Sequence, residues 1–243
     1  MIPLEFVIAA VVVFGAMVIR GFTGFGGALL MVPLLGLIWE IRLVIVVVAV
    51  IQTITGSMLA VMSRRAVDRA TLIPVLLWSI IGLAGGSLLL ANLPVHWIAR
   101  ILGVITIVIG VVSLSKRIVV PVRPGRSRGV LTSIVGLVAG VLHGLIGTSG
   151  PVVVPYFQRA LPAPQQMRST LLSYFIVLEV LRMGGYIQLG VASIEAFQRG
   201  LILVPVAIAG SLVGSRLHVQ VSDEVFRVTV AVLLIVSGAL LLS

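Results

Sequence analysis

The chain has 243 residues, 60% of them hydrophobic and 10% charged, with no cysteine and a formal net charge of +10; mean hydropathy is +1.27. Soluble domains carry about 25% charged residues, so this composition excludes a soluble globular fold, and the missing cysteines exclude disulfides, thiolate metal sites and thiol catalysis. The positive charge is no nucleic-acid signal: the basic residues sit mainly in short loops between apolar runs, without aromatic interleaving or zinc spacing, as the positive-inside rule requires.

A membrane-spanning helix needs roughly 20 apolar residues, so the expectation is an all-α polytopic membrane protein of about eight to ten segments. The first segment runs from Leu4 to Ile19. The preceding Met1-Ile2-Pro3-Leu4-Glu5 lacks the positive n-region and small-residue cleavage site of a signal peptide, so the helix is expected to be retained. It runs into a glycine break, Arg20-Gly21-Phe22-Thr23-Gly24-Phe25-Gly26-Gly27. Ala28 to Ile38 follows, too short to cross a bilayer at ~1.5 Å per residue. Next come Ile41 to Met62, a basic turn with Arg64, Arg65, Asp68 and Arg69, and Ala70 to Ala91, whose Gly82, Gly85 and Gly86 suit close helix packing. Asn92-Leu93-Pro94 ends that run, and Val95 to Leu114 closes the first half.

The linker from Lys116 to Arg128 holds Lys116, Arg117, Arg123, Arg126 and Arg128 and no acidic residue, and reads as a cytoplasmic loop. The second half then repeats the plan: Gly129 to Leu142, a second break His143-Gly144-Leu145-Ile146-Gly147-Thr148-Ser149-Gly150, a short segment Pro151 to Leu161, and three long segments, Arg168–Leu189, Ala196–Leu217 and Val225–Leu242. Gly82, Gly86 and Gly110 lie 128 residues before Gly210, Gly214 and Gly238, while the break glycines lie 123 residues apart. The expected fold is therefore two pseudo-symmetric halves, residues 1–115 and 129–243, joined by the 116–128 linker. Each half is a short helix pair broken by glycine followed by three transmembrane helices. Loop charges favour an inverted repeat with both termini outside. With the linker inside, Arg64, Arg65, Arg69, Arg159, Arg168, Arg216 and Arg227 fall inside, leaving mainly Arg42, Arg100 and Arg199 outside. A single broken crossing per short pair would instead move Arg159, Arg168, Arg216 and Arg227 outside.

The two breaks carry the functional reading. Glycines three apart in hydrocarbon-like sequence mean backbone that is not ordinary helix, which survives at membrane depth only against protein or a watered cavity. Gly27 and Gly150 stand just before short helices, and Pro151 suits a first helical turn. A half-helix starting there points free N–H groups and a positive dipole end at an anion. The expected substrate-binding set is Arg20, Gly21, Thr23, Gly24, Gly26 and Gly27 from the first copy, and His143, Gly144, Gly147, Thr148, Ser149 and Gly150 from the second. The competing reading of the glycines is close helix packing. Arg20 and His143 hold equivalent places; each either meets an oxyanion or snorkels to the interface, and His143 is also a proton shuttle candidate. Glu179 and Arg182 lie three apart on one helix face. Gln52 and Thr55 repeat that spacing in the first half, so Gln52 and Arg182 join the substrate set and Glu179 the proton-coupling candidates; a structural polar clasp is the alternative.

Together the breaks Gly21 to Pro33 and Gly144 to Pro155, the basic linker and the length resemble the TauE/SafE family of sulfite-exporter-like membrane proteins, across essentially the whole chain. The resemblance implies a bacterial inner-membrane transporter of small sulfur anions such as sulfite, sulfoacetate or sulfolactate. The second copy departs from the family's pattern, with Thr148-Ser149-Gly150-Pro151 in place of a third consecutive glycine. No Gly-rich phosphate loop with Lys-Ser/Thr is present, so an ion or substrate gradient is the expected energy source, and no cofactor or metal is called for. The expected partners are the anion, the lipid bilayer and, as an option, a second copy in a homodimer, with no nucleic acid. Two other classes compete: an anion channel, and an intramembrane serine hydrolase built on Ser149. Gly147-Thr148-Ser149-Gly150 matches the nucleophile loop of rhomboid proteases, but the first copy has Gly26 where Ser149 stands, and the nearest base, His143, is on the same segment.

Overall fold

The computed structural model describes residues 3–24, 26–62, 67–114, 128–161, 163–216 and 223–242. Among these residues there are ten helices and no strand: α1 (Leu4–Thr23), α2 (Gly27–Leu35), α3 (Ile41–Met62), α4 (Arg69–Asn92), α5 (Val95–Leu114), α6 (Arg128–Ile146), α7 (Gly150–Ala160), α8 (Pro164–Gln188), α9 (Ile194–Arg216) and α10 (Asp223–Leu242). The expected segments are all present, with ends shifted by a few residues. Seven helices among the described residues, α1, α3, α4, α5, α6, α8 and α9, are long and apolar enough to cross a membrane. Their outer faces carry side chains such as Val11, Leu77, Ile81, Val104, Val130 and Ile202, which are about half exposed or more. Water would penalise such faces and lipid does not. At ~1.5 Å per residue α2 and α7 are roughly 14 and 16 Å long, about half of a ~30 Å hydrocarbon core. The expected linker at 116–127 and the turn arginines Arg64 and Arg65 lie outside the described residues.

The chain forms two compact units, and they do not follow the two sequence halves. The first comprises residues 1–51, 93–118 and 192–243; the second comprises 52–92 and 119–191. Each unit thus draws helices from both halves, because each half sends its fourth helix to pack on the other half's first.

In the first unit α1 lies on α9 and α5 on α10. Gly210 and Gly214 of α9 sit against the Phe14 and Val18 carbonyls, and Gly21 of α1 sits against the backbone at Ser211 and Ser215. One loop end of this unit is tied by aromatics. Trp39 donates from Nε1 to Glu5 (2.9 Å), and the Arg199 guanidinium lies 4.6 Å from the Trp39 ring centroid while pairing with Glu195 at 2.7 Å.

In the second unit α4 lies on α6 with the same grammar. Gly82 and Gly86 of α4 sit against the Leu137 and Val141 carbonyls, and Gly144 of α6 sits against the backbone at Leu83 and Ser87. The correspondence is residue for residue. Phe14, Val18 and Gly21 become Leu137, Val141 and Gly144, each 123 residues later; Ser211 and Ser215 replace Leu83 and Ser87, each 128 later. These glycines let backbones approach where lipid offers no hydrophobic drive and packing must hold the pair.

A paired substitution tests this packing. Gly86→Ala puts a methyl on the Val141 carbonyl, while Gly85, one residue away, has open space around the same position. Overpacking costs about 1–3 kcal/mol, so the thermal midpoint in detergent is expected to fall for Gly86→Ala and to hold or rise slightly for Gly85→Ala. Equal midpoints would show that the close approach carries no stability.

Candidate functional site

Both breaks are shorter than their glycine spacing predicts. Gly21 and Gly144 continue their helices, and the real interruptions are 24–26 and 147–149. Helical spacing explains the difference: a glycine facing a neighbouring helix at close approach keeps helical backbone, and only the next glycine turns left-handed. Gly24 caps α1 with φ +82° and donates to the Arg20 carbonyl at 2.7 Å; Gly147 caps α6 with φ +77° and donates to the His143 carbonyl at 2.9 Å. That is the αL helix stop that glycine makes without steric cost. Arg20 and His143 therefore hold the same place in two equivalent caps.

In the first unit Gly26, at φ +90°, is the N-cap of α2. Arg20 is buried in the last turn of α1, and its aliphatic stem lies over Gly27, where a methyl would come within 3.1 Å of Cδ. The side chain of Thr23 lies outside the described residues.

The second unit assembles most of the remaining set into one buried cluster. Ser149 takes the place of Gly26 with φ −125°, so its backbone no longer needs glycine. Its hydroxyl makes no helix cap; it lies 3.1 Å from Nδ1 of His143. On the far side of the ring, Nε2 of His143 is 3.4 Å from Glu179 Oε1. Glu179 Oε2 accepts from Arg182 Nη2 at 2.6 Å. Arg182 Nη1 reaches the His143 carbonyl at 3.5 Å, closing a ring of contacts. All four side chains are 2% exposed or less. The Arg182 guanidinium lies against the α-carbon of Gly147, so the left-handed cap and the buried cation are built together. Arg182 Nε finds no hydrogen-bond partner among the described residues, and a buried donor left in that state is costly.

Two tyrosines of α8 that the sequence reading passed over stand in one buried row with Arg182. Tyr186, one helical turn beyond Arg182, donates to the Gly144 carbonyl at 2.6 Å and lies beside the guanidinium. Tyr174, two turns before Arg182, is fully buried and bonds Ser79 at 2.9 Å. The available signal was the four-residue spacing of 174, 178, 182 and 186 on α8, all fully buried. Thr148 and Gly150 are buried in the turn itself. Gln52 and Thr55 are buried on α3.

Ser149, His143 and Glu179 do stand in serine–histidine–acid order, an arrangement the sequence reading discounted because His143 shares a segment with Ser149. The ring presents Nδ1 to the serine and Nε2 to the acid, the reverse of the hydrolase template.

A helical membrane protein with two glycine-capped helix breaks and a cluster of ionisable side chains buried beside one of them has the anatomy of a membrane transporter. This chain belongs to the sulfite exporter TauE/SafE family, whose profile matches residues 8–241. That is a family of membrane transporters, not of enzymes, and the hydrolase reading falls with it. The chain is also similar to a probable inner membrane transporter protein, TsaS, of Comamonas testosteroni. The two are 33% identical over 106 residues, 42% of this chain and 43% of that protein, so the match spans less than half of the relative's length. No solved structure matches.

Proposed function

We propose that this protein is a secondary transporter of small sulfur-containing anions, sulfite or sulfonates such as sulfoacetate and sulfolactate, working by alternating access in a bacterial inner membrane. The family description and the relative's name support the class of activity and the membrane. The observation that carries the anion reading is the buried Arg182, with an unpartnered Nε, held at the left-handed Gly147 turn where α7 begins. A half-helix N-terminus, a guanidinium and the hydroxyls of Thr148 and Ser149 all favour an oxyanion. Arg20 at the equivalent cap supports a second cationic contact. The recurring glycine contacts support a duplication, which we propose is inverted.

His143 supplies the coupling. A neutral ring with its proton on Nε2, the nitrogen 3.4 Å from the Glu179 carboxylate, accepts at Nδ1 from Ser149. A second proton on the ring reverses that bond: Nδ1 becomes the donor, and the Ser149 hydroxyl keeps its proton but turns, free to donate it to a bound anion. Proton uptake therefore adds a positive charge and a free donor at once, and both strengthen anion binding. Flux into liposomes tests this. Wild type is expected to give saturable sulfite or sulfonate flux that responds to an imposed pH gradient; Arg20→Ala and His143→Ala are each expected to abolish flux while remaining in the membrane. Unsaturable conductance would make the protein a channel, and normal flux in both variants would remove these residues from the site.

A further inference from the structure

The second unit carries a cavity of about 490 Å³ where α4, α6 and α7 converge, lined by none of the Ser149, His143, Glu179 and Arg182 side chains. Its polar wall is Thr71, Ser133, Thr132, Tyr156 and Arg159, and Trp78 closes its apolar side. Thr132 and Tyr156 are bonded to each other at 2.7 Å, which fixes the back of the cavity. Arg159 is exposed, and no ion pair or hydrogen bond of its guanidinium is found among the described residues. The nearby carboxylate, Asp68, is turned to the α4 backbone, accepting from Thr71 N at 2.9 Å. Exposed Arg69 and Arg168 flank that turn, so the charge at this end is positive.

We propose that this cavity is a binding site for an anionic phospholipid. Depth and shape select that occupant over a free anion. The membrane spans of α4 and α6 begin at Arg69 and Gly129, so Thr71, Thr132 and Ser133 lie at headgroup level, while Trp78, about 13 Å further along α4, lies at acyl-chain depth. On the same two helices Ile73, Leu77, Val130 and Ile134 are exposed apolar side chains that continue from the cavity into the bilayer. A phosphate at Arg159 and Thr71 thus has acyl chains with somewhere to lie, and basic pockets of this kind between helices recognise anionic headgroups. The site is independent of the transported substrate and of the His143 cluster.

The test uses delipidated full-length protein in detergent, titrated separately with phosphatidylglycerol, phosphatidylcholine and inorganic phosphate while thermal unfolding is followed. Phosphatidylglycerol is expected to raise the midpoint by roughly 5 °C near saturation, with no comparable shift from the other two. Arg159→Gln should weaken the apparent affinity about fivefold and Arg159→Lys should keep most of it; the exposed position spares the fold in both. An equal shift with phosphatidylcholine would reduce the effect to acyl-chain packing, and an equal shift with inorganic phosphate would make the cavity a free-anion site. Undiminished phosphatidylglycerol binding by Arg159→Gln would also overturn the proposal.

Discussion

Gly147→Ala is expected to destabilise the protein far more than Gly24→Ala, although the two glycines cap equivalent helices with nearly the same φ. At Gly24 the added methyl meets open space, so the cost is the left-handed backbone alone, about 1–2 kcal/mol. At Gly147 the methyl occupies the place of the Arg182 guanidinium. Arg182 must then leave Glu179, and breaking a buried ion pair costs about 3–5 kcal/mol more. The measurement is thermal unfolding of both variants in one detergent. A second comparison isolates the cause: with Arg182 already shortened to Ala, the further cost of Gly147→Ala should shrink toward that at Gly24, a non-additivity that marks direct contact. Equal losses at the two glycines would mean that the cation is not held by the turn.

The second large effect is at the ion pair itself. Glu179→Gln leaves a buried guanidinium uncompensated and Arg182→Met leaves a buried carboxylate, each at about 3–5 kcal/mol. A polar clasp between membrane helices averages only about 0.6 kcal/mol, so the size of the loss separates a desolvated ion pair from an ordinary helix-to-helix bond. The double variant Glu179→Met/Arg182→Met is expected to be nearer to wild type in stability than either single change, since apolar replacement of both partners removes the desolvation cost. Flux should be absent in all three. A stable double variant with full flux would make the pair structural and remove it from transport.

The membrane class, the ten segments and the two breaks were legible in the chain because each rests on local physics. Apolar run length sets the spans, and Pro and Gly set the interruptions. The recurring packing glycines were legible too: those that admit a neighbouring backbone recur at fixed spacing, and Gly82 with Gly86 makes the contact that Gly210 with Gly214 makes again. What the spacing could not separate was a packing glycine from a turning one. Gly21 and Gly24 look alike as letters; one faces α9 inside a helix and the other ends that helix, and only the position of the neighbour decides which. For the same reason compactness did not follow the halves. A helix's apolar face does not name its partner, so the crossing of α9 onto α1 and α4 onto α6 had no sequence signature.

The residues of the cluster were legible as buried ionisable groups, which are costly in a span and so stand out. Their joining was not. Glu179 and Arg182 are paired by helix pitch, and that much is written locally. His143 reaches Glu179, and Arg182 reaches Gly147, only because α6 and α8 pack within one unit, across more than thirty residues of chain. By itself, then, the sequence determined a polytopic helical membrane protein with two equivalent glycine-capped breaks, because hydropathy and backbone freedom are properties of single residues and short runs. Tertiary structure alone decided that the second break holds a closed Ser149–His143–Glu179–Arg182 network, because hydrogen bonds and ion pairs depend on distances that helix packing sets.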